Sequence, residues 1–169
     1  YIPCAPEQLS RRLSRYGLKM NMMQSSESET IDRVLGYVRS IAVIGLSSDP
    51  VRPSYTVTSY MVSQGMKIVP VNPHETEVFG VAAVDSLNDI EGEIDVVNVF
   101  RRPAAAPQVA RLAVEKGARA LWMQPGAEND LAAEIAREAG LDVVSGPCLM
   151  VQHKLWSYRQ RAAQHPNEA

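Results

Sequence analysis

The sequence predicts a doubly wound α/β domain, a mainly parallel sheet with helices on both faces, three layers in all. Three observations carry this expectation. Short β-branched runs recur without polar alternation, which is how strands buried on both faces read. Stretches with apolar residues at helical spacing separate them, closed by glycines able to supply the left-handed residue of a C-cap. The chain has 169 residues, and at roughly 100 to 200 residues per domain that makes one domain.

Residues 1–28 stand apart from the rest. Through residue 19, Arg11, Arg12, Arg15 and Lys19 face only Glu7; Met20, Met22, Met23 and the Ser25 to Ser28 stretch follow. Pro3 and Pro6 spoil an amphipathic period, and the chain opens on Tyr1 instead of Met, so a disordered or non-native arm is expected there. Ser40 to Gly45 (SIAVIG) is a continuous apolar strand. Ser54 to Gln64, with Val57, Tyr60 and Met61 at helical spacing, is a helix that Gly65 ends. Lys67 to Val71 is the second strand and Asp95 to Phe100 (DVVNVF) a later one. Val109, Leu112 and Ala113 mark the helix that Gly117 terminates, and Arg119 to Met123 is the next strand. Leu131, Ala132, Ile135 and Ala139 form a further apolar helix face before Gly140, after which Asp142 to Val144 makes the last strand. Residues 161–169, with His165 and Pro166, lack an apolar period and are expected to be a flexible tail. The folded domain is then residues 29–160.

Composition narrows the function. Hydrophobic residues at 46% and charged residues at 21% are ordinary for a globular chain and argue against wholesale disorder. Lys and Arg number 17 against 19 Asp and Glu, and a net charge of -2 supplies no field to attract nucleic acid. No apolar run approaches the roughly 18 to 20 residues that span a bilayer, and no signal peptide is apparent, so a soluble, cytoplasmic protein is expected. Cys4 and Cys148 make neither a disulfide framework nor a four-sulfur zinc site, and His74 and His165 lie in separate loops. No metal site is expected.

In doubly wound sheets ligands bind at the carboxyl ends of the strands, where the winding reverses. The first strand runs into Gly45, Leu46, Ser47, Ser48, Asp49, Pro50, Val51, Arg52, Pro53 and Ser54. The three-glycine dinucleotide fingerprint is absent, which disfavours an ordinary nicotinamide dehydrogenase. The turn is still fit for phosphate: Ser47, Ser48 and Ser54 offer hydroxyls, the helix start offers free N–H groups, and Arg52 offers a fork. Serines and prolines also simply make loops and cap helices. The second strand leads to Asn72, Pro73 and His74, with neutral Asn72 near where NAD binders place an acid on the ribose; this favours coenzyme A or NADP over NAD. Two prolines that merely stiffen a crossing loop are the plainer account. Phe100, Arg101, Arg102 and Pro103 end a buried strand, and paired arginines there are costly unless something anionic meets them. The LWMQPG run places Gln124 and Gly126 at the mouth of the next strand, with Trp122 expected in the core.

Together, VIGLS (Val43 to Ser47), RPS (Arg52 to Ser54), PVNP (Pro70 to Pro73), DVVNVFRRP (Asp95 to Pro103) and WMQPG (Trp122 to Gly126) resemble the stand-alone CoA-binding domain family. That family is Rossmann-like and similar to the CoA-binding domain of succinyl-CoA synthetase alpha subunits. The resemblance implies a coenzyme A site lined by the loop from Gly45 to Ser48, Arg52, the Asn72 turn, Arg101 and Gln124, with the adenosine diphosphate part best specified. Ser54, Pro73, Phe100 and Gly126 complete the candidate set. Cys148 matches a cysteine often seen in the family, whereas Gln152 precedes His153 where an acidic residue is common. The chain shows no phosphohistidine or nucleotide-grasp domain, so CoA or acyl-CoA binding without ligation is what the resemblance implies.

Two other functions compete. An NAD(H)-sensing module would share the fold, but the 39 residues before the first strand are too few and too polar for a winged helix. A Cys148 enzyme with His153 as base would need the two on one helical face, which their spacing does not give; a buried structural Cys and a surface His are expected instead. The acyl group, any homo-oligomer and any partner protein are left open by the sequence.

Overall fold

The computed structural model describes residues 27–164. Residues 1–26 of the expected arm (1–28) and residues 165–169 of the expected tail (161–169) lie outside the described residues, while 27–28 belong to a helix. Helix α1 covers residues 27–37. There follow β1 (Ser40–Ile44), α2 (Pro53–Ser63), β2 (Lys67–Val71), β3 (Glu77–Val78), β4 (Val81–Ala82), β5 (Val96–Val99), α3 (Ala106–Lys116), β6 (Ala120–Met123), α4 (Asp130–Glu138), β7 (Asp142–Ser145) and α5 (Leu149–Gln164).

Five strands form one parallel sheet in the order β2-β1-β5-β6-β7. The register sets Ile41 against Ile68 on one side and Val96 on the other, and Ala120 against Val96 and Asp142. Strand β1 is joined in sequence to β2 at one edge while β5 lies on its other side, so the winding reverses between β1 and β5.

The alternation of each buried strand divides the core in two. Ile41 and Val43 of β1 pack with Val96, Trp122 and Val144 against α1, α2 and the start of α5. Ala42 and Ile44 pack with Val97, Val99, Leu121 and Met123 against α3 and α4. Three layers result, as the unbroken apolar strands require. Trp122 has no exposed surface, and its indole N–H donates to the Pro147 carbonyl at 2.8 Å, so it is a core residue as expected. At the amino ends of two central strands, Asp95 accepts from the Arg39 amide at 2.8 Å and the Ser40 amide at 3.0 Å, fastening the start of β1 to β5. Burial would raise this carboxyl, but those hydrogen bonds outweigh it and hold Asp95 below its usual range.

Two helices go beyond the sequence expectation. In α1, Ile31, Val34 and Leu35, with Val38 just past its end, recur at i, i+3, i+4 and i+7 and are all buried in the core. Helix α5 continues through Arg161 to Gln164, past the boundary set at residue 160. A small antiparallel hairpin, β3 with β4, was also not expected. Its two turn residues, Phe79 at φ 56° and Gly80 at φ 74°, both take left-handed backbone, the pattern of a two-residue I′ hairpin turn. That conformation is unfavourable for an aromatic residue. The Phe79 ring packs on Tyr55 of α2 with centroids 4.7 Å apart, which offsets the strain and fastens the hairpin to α2. No helix among the described residues is long and apolar enough to cross a membrane.

Candidate functional site

A cleft of about 620 Å³ opens at the carboxyl ends of β1, β2, β5 and β6, over the point where the winding reverses. Nine of the residues singled out from sequence line it: Gly45, Ser47, Arg52, Ser54, Asn72, Phe100, Arg101, Gln124 and Gly126. The others do not. The Leu46 side chain is fully buried in the core and contributes its carbonyl to a loop tie. Ser48 and Pro73 flank the cleft without lining it. His74, Glu75 and Cys148 line it and were not in the candidate set.

Gly45 ends β1 with φ 81°. A Cβ there would also lie 3.4 Å from Arg101 Cδ and 3.5 Å from Arg101 Nε, so the arginine stem passes directly over the glycine. Glycine thus serves both the left-handed turn and the close approach of a neighbouring side chain. Arg101, half-buried at the end of β5, forms no ion pair among the described residues. Arg52 precedes α2 and is only loosely tied, its Nε 3.8 Å from Asp49 with both side chains exposed. Two guanidinium groups therefore reach one cleft at the switch point, matching the arginine placement expected from sequence.

The serine turn has a feature on which the sequence was silent. Its amides are not free. The Ser47 N–H donates to Ser54 Oγ at 3.2 Å, the Asp49 N–H to Ser47 Oγ at 3.2 Å, and the Val51 N–H to Asp49 Oδ1 at 3.0 Å. The Ser48 N–H donates to Glu75 Oε1 at 2.9 Å. With a single glycine at its start, the turn closes on its own hydroxyl and carboxylate groups, as Ser and Asp side chains do in such turns. Hydrogen bonds from the amide and hydroxyl of Ser48 hold the Glu75 carboxyl below its usual range.

Asn72 has a structural task. Its Nδ2 donates to the Leu46 carbonyl at 2.8 Å and its Oδ1 accepts from the His74 amide at 3.1 Å, which ties the β1 loop to the β2 loop. The acid that sequence reading found missing from this region is present three residues on as Glu75, turned onto Ser48.

Gln124 is almost fully buried, as is Asn98 on the neighbouring strand. Gln124 Nε2 donates to Asn98 Oδ1 at 2.8 Å, and Gln124 Oε1 is buried without a partner among the described residues. A buried acceptor with no donor costs about 1 to 3 kcal/mol. Gln124 is itself a cleft-lining residue.

Cys148 is a half-buried free thiol at the start of α5. His153 does not approach it through any hydrogen bond among the described residues, and the expected surface histidine is instead only 4% exposed. Its Nδ1 lies 3.0 Å from the Tyr60 hydroxyl and 3.3 Å from Ser157 Oγ, partners that offset burial between α2 and α5. Desolvation lowers its pKa from the usual 6.5.

Fold and cleft together define a three-layer, Rossmann-like α/β domain whose arginine-bearing pocket lies at the reversal of the sheet. A family model described as "CoA binding domain" matches residues 39–154, and the chain belongs to that family. It is 41% identical over 131 residues to the uncharacterized protein YneT of Bacillus subtilis, covering 78% of this chain and 97% of that one. It is 30% identical over 126 residues to the alpha subunit of an ADP-forming acetate–CoA ligase II from Pyrococcus furiosus. That match takes in 68% of this chain and 28% of the ligase subunit. Among solved structures, a hypothetical protein from Pyrococcus horikoshii superposes with a TM-score of 0.74 at 34% identity, covering 77% of this chain and 92% of the other.

Proposed function

We propose that the cleft binds coenzyme A or an acyl-CoA, and that the chain works in the cytoplasm as a binding or regulatory module without ligase chemistry of its own. The observation that carries this reading is Arg101 lying across Gly45 with no ion pair among the described residues, in a cleft that Arg52 also lines. Guanidinium forks bind the paired oxygens of phosphate and carboxylate groups bidentately, so two of them in one cleft suit a ligand that carries several phosphates. The donor set fits the cofactor: two arginines for the pyrophosphate and the ribose phosphate, and the orphaned Gln124 Oε1 for a donor such as a pantetheine amide. Membership of the CoA binding domain family supports the same assignment.

One observation favours a second reading, an NAD(H)-binding module. Glu75 brings a carboxylate into the cleft just past β2, the region where NAD binders hold the ribose. Calorimetric titration with CoA, acetyl-CoA, dephospho-CoA, NAD and NADH separates the two. The expected result is CoA tighter than dephospho-CoA and NAD weak or silent. Arg101→Ala and Arg52→Ala are each expected to weaken CoA by about 1 to 3 kcal/mol, with the exposed Arg52 at the low end. NAD binding as tightly as CoA, or normal CoA binding by both variants, would put the NAD reading first.

A further inference from the structure

Glu75 occupies an unexpected position for a cleft that is to receive phosphates. It lines the same cavity as Arg52 and Arg101, yet forms an ion pair with neither. Its Oε1 instead takes the Ser48 amide at 2.9 Å, and the hydroxyls of Ser47 and Ser48 also stabilise its charged form. These are the donors that the serine turn would otherwise offer to an anion. The backbone that carries Glu75 is held on both sides, by Asn72 on Leu46 and by Phe79 on Tyr55, so the contact belongs to a fixed loop.

We propose that Glu75 is a specificity element: its carboxylate holds the donors that a ligand phosphate needs, and only a group more anionic than one carboxylate takes them from it. Phosphate diesters in series, as in a pyrophosphate bridged by the two arginines, meet that condition. A neutral ligand or one bearing a carboxylate does not, because it gains nothing over the group already there. Glu75 thus sets a threshold of negative charge for entry to the turn. The inference deepens the CoA reading and rests on it for the identity of the natural ligand, though the threshold itself concerns any anion.

The experiment titrates the unmodified protein, Glu75→Gln and Glu77→Gln with two probes, inorganic pyrophosphate and CoA, following heat and the Ser48 amide resonance. Glu77 is exposed, lies two residues further on in β3 and is outside the cleft lining, so its replacement removes the same charge without freeing Ser48. Glu75→Gln is expected to bind both probes at least about threefold tighter, a modest gain because the carboxylate is solvent-exposed, while Glu77→Gln leaves both unchanged. The Ser48 amide should move on pyrophosphate addition in each protein. If Glu75→Gln binds pyrophosphate no more tightly, or if Glu77→Gln gains as much, the threshold is overturned even where CoA binds well. If no protein binds CoA but Glu75→Gln still gains for pyrophosphate, the CoA reading falls and the threshold stands. If no protein binds either probe, both fall.

Discussion

Gln124 donates to Asn98 across two adjacent buried strands and leaves its own carbonyl oxygen buried with no partner among the described residues. Asn98 stands in β5 opposite Trp122 of β6, so the polar pair is set into an otherwise apolar sheet just beneath the cleft. Asn98→Val or Gln124→Met alone should cost about 1 to 3 kcal/mol, because each strands the buried polar group of its partner. Replacing both members of the pair with apolar side chains, Asn98→Val together with Gln124→Met, should cost less than the sum of the single changes. Urea denaturation of the unmodified protein, the two single variants and the double variant measures the coupling. If the Gln124 oxygen serves the ligand, the double variant also loses CoA affinity while keeping its fold.

Gly45→Ala tests the crossing of Arg101 over β1. The left-handed backbone at Gly45 and a Cβ contact of 3.4 Å with the arginine stem act together. A stability loss of about 1 to 2 kcal/mol is expected from the backbone alone. CoA affinity should fall as well, since the arginine must shift to make room. A variant that binds normally would show that the arginine finds the ligand by another route.

His153 makes stability depend on pH. Burial lowers its folded pKa below 6.5, the ordinary value that the unfolded chain keeps. Both states are neutral above that value, so the stabilisation is complete there. As pH falls from about 6.5 through the folded pKa, the unfolded chain gains a proton that the native state resists, and stability declines. Melting curves from pH 7.5 to pH 5 should show this decline flattened in His153→Gln, measured against its own value at pH 7.5. An NMR titration should place the His153 midpoint below those of model peptides.

Cys148 lies in the cleft as a free thiol, and CoA disulfide is expected to exchange with it, giving a Cys148–CoA mixed disulfide and one equivalent of CoA thiolate. Intact-mass and peptide spectrometry after incubation with CoA disulfide should locate the adduct on Cys148 in preference to Cys4. Cys148→Ser should bind CoA within about twofold of the unmodified protein, because no role in holding the phosphates falls to the thiol. An adduct confined to Cys4 would remove the thiol end of the ligand from this part of the cleft.

The strands were legible because burial on both faces leaves a mark that needs no partner to interpret: Ile41 to Ile44 and Val96 to Val99 are apolar throughout or nearly so. Helix α1 was equally written in Ile31, Val34 and Leu35, but the polar approach from Glu27 to Thr30 hid its start, and the sequence reading assigned no element before Ser40. Helix α5 was obscured for the opposite reason. Val151, Leu155 and Tyr158 are apolar but exposed, so its two faces do not contrast. The Phe79 hairpin defied reading, since an aromatic residue at positive φ is chosen by its contact with Tyr55 and not by propensity. In the site, Arg101 could be placed from the end of its strand alone. Glu75 could not, because it acts through a residue 27 positions away. Asn72 was judged by its lack of charge, while the fold uses both ends of its amide.

The tilted ring contact of Phe79 with Tyr55, with Asn72 on the other side, leaves the Glu75 segment little room for excursions of its backbone. Clearing the serine turn then requires only a side-chain rotamer change, which takes picoseconds to nanoseconds, in contrast to the microseconds to milliseconds of a moving lid. On the proposed reading, CoA needs no lid to open and is steered toward Arg52 and Arg101, so its association rate should fall as ionic strength rises. Loosening that ring contact with Phe79→Ala would convert a site with a fast local latch into one that must first become ordered.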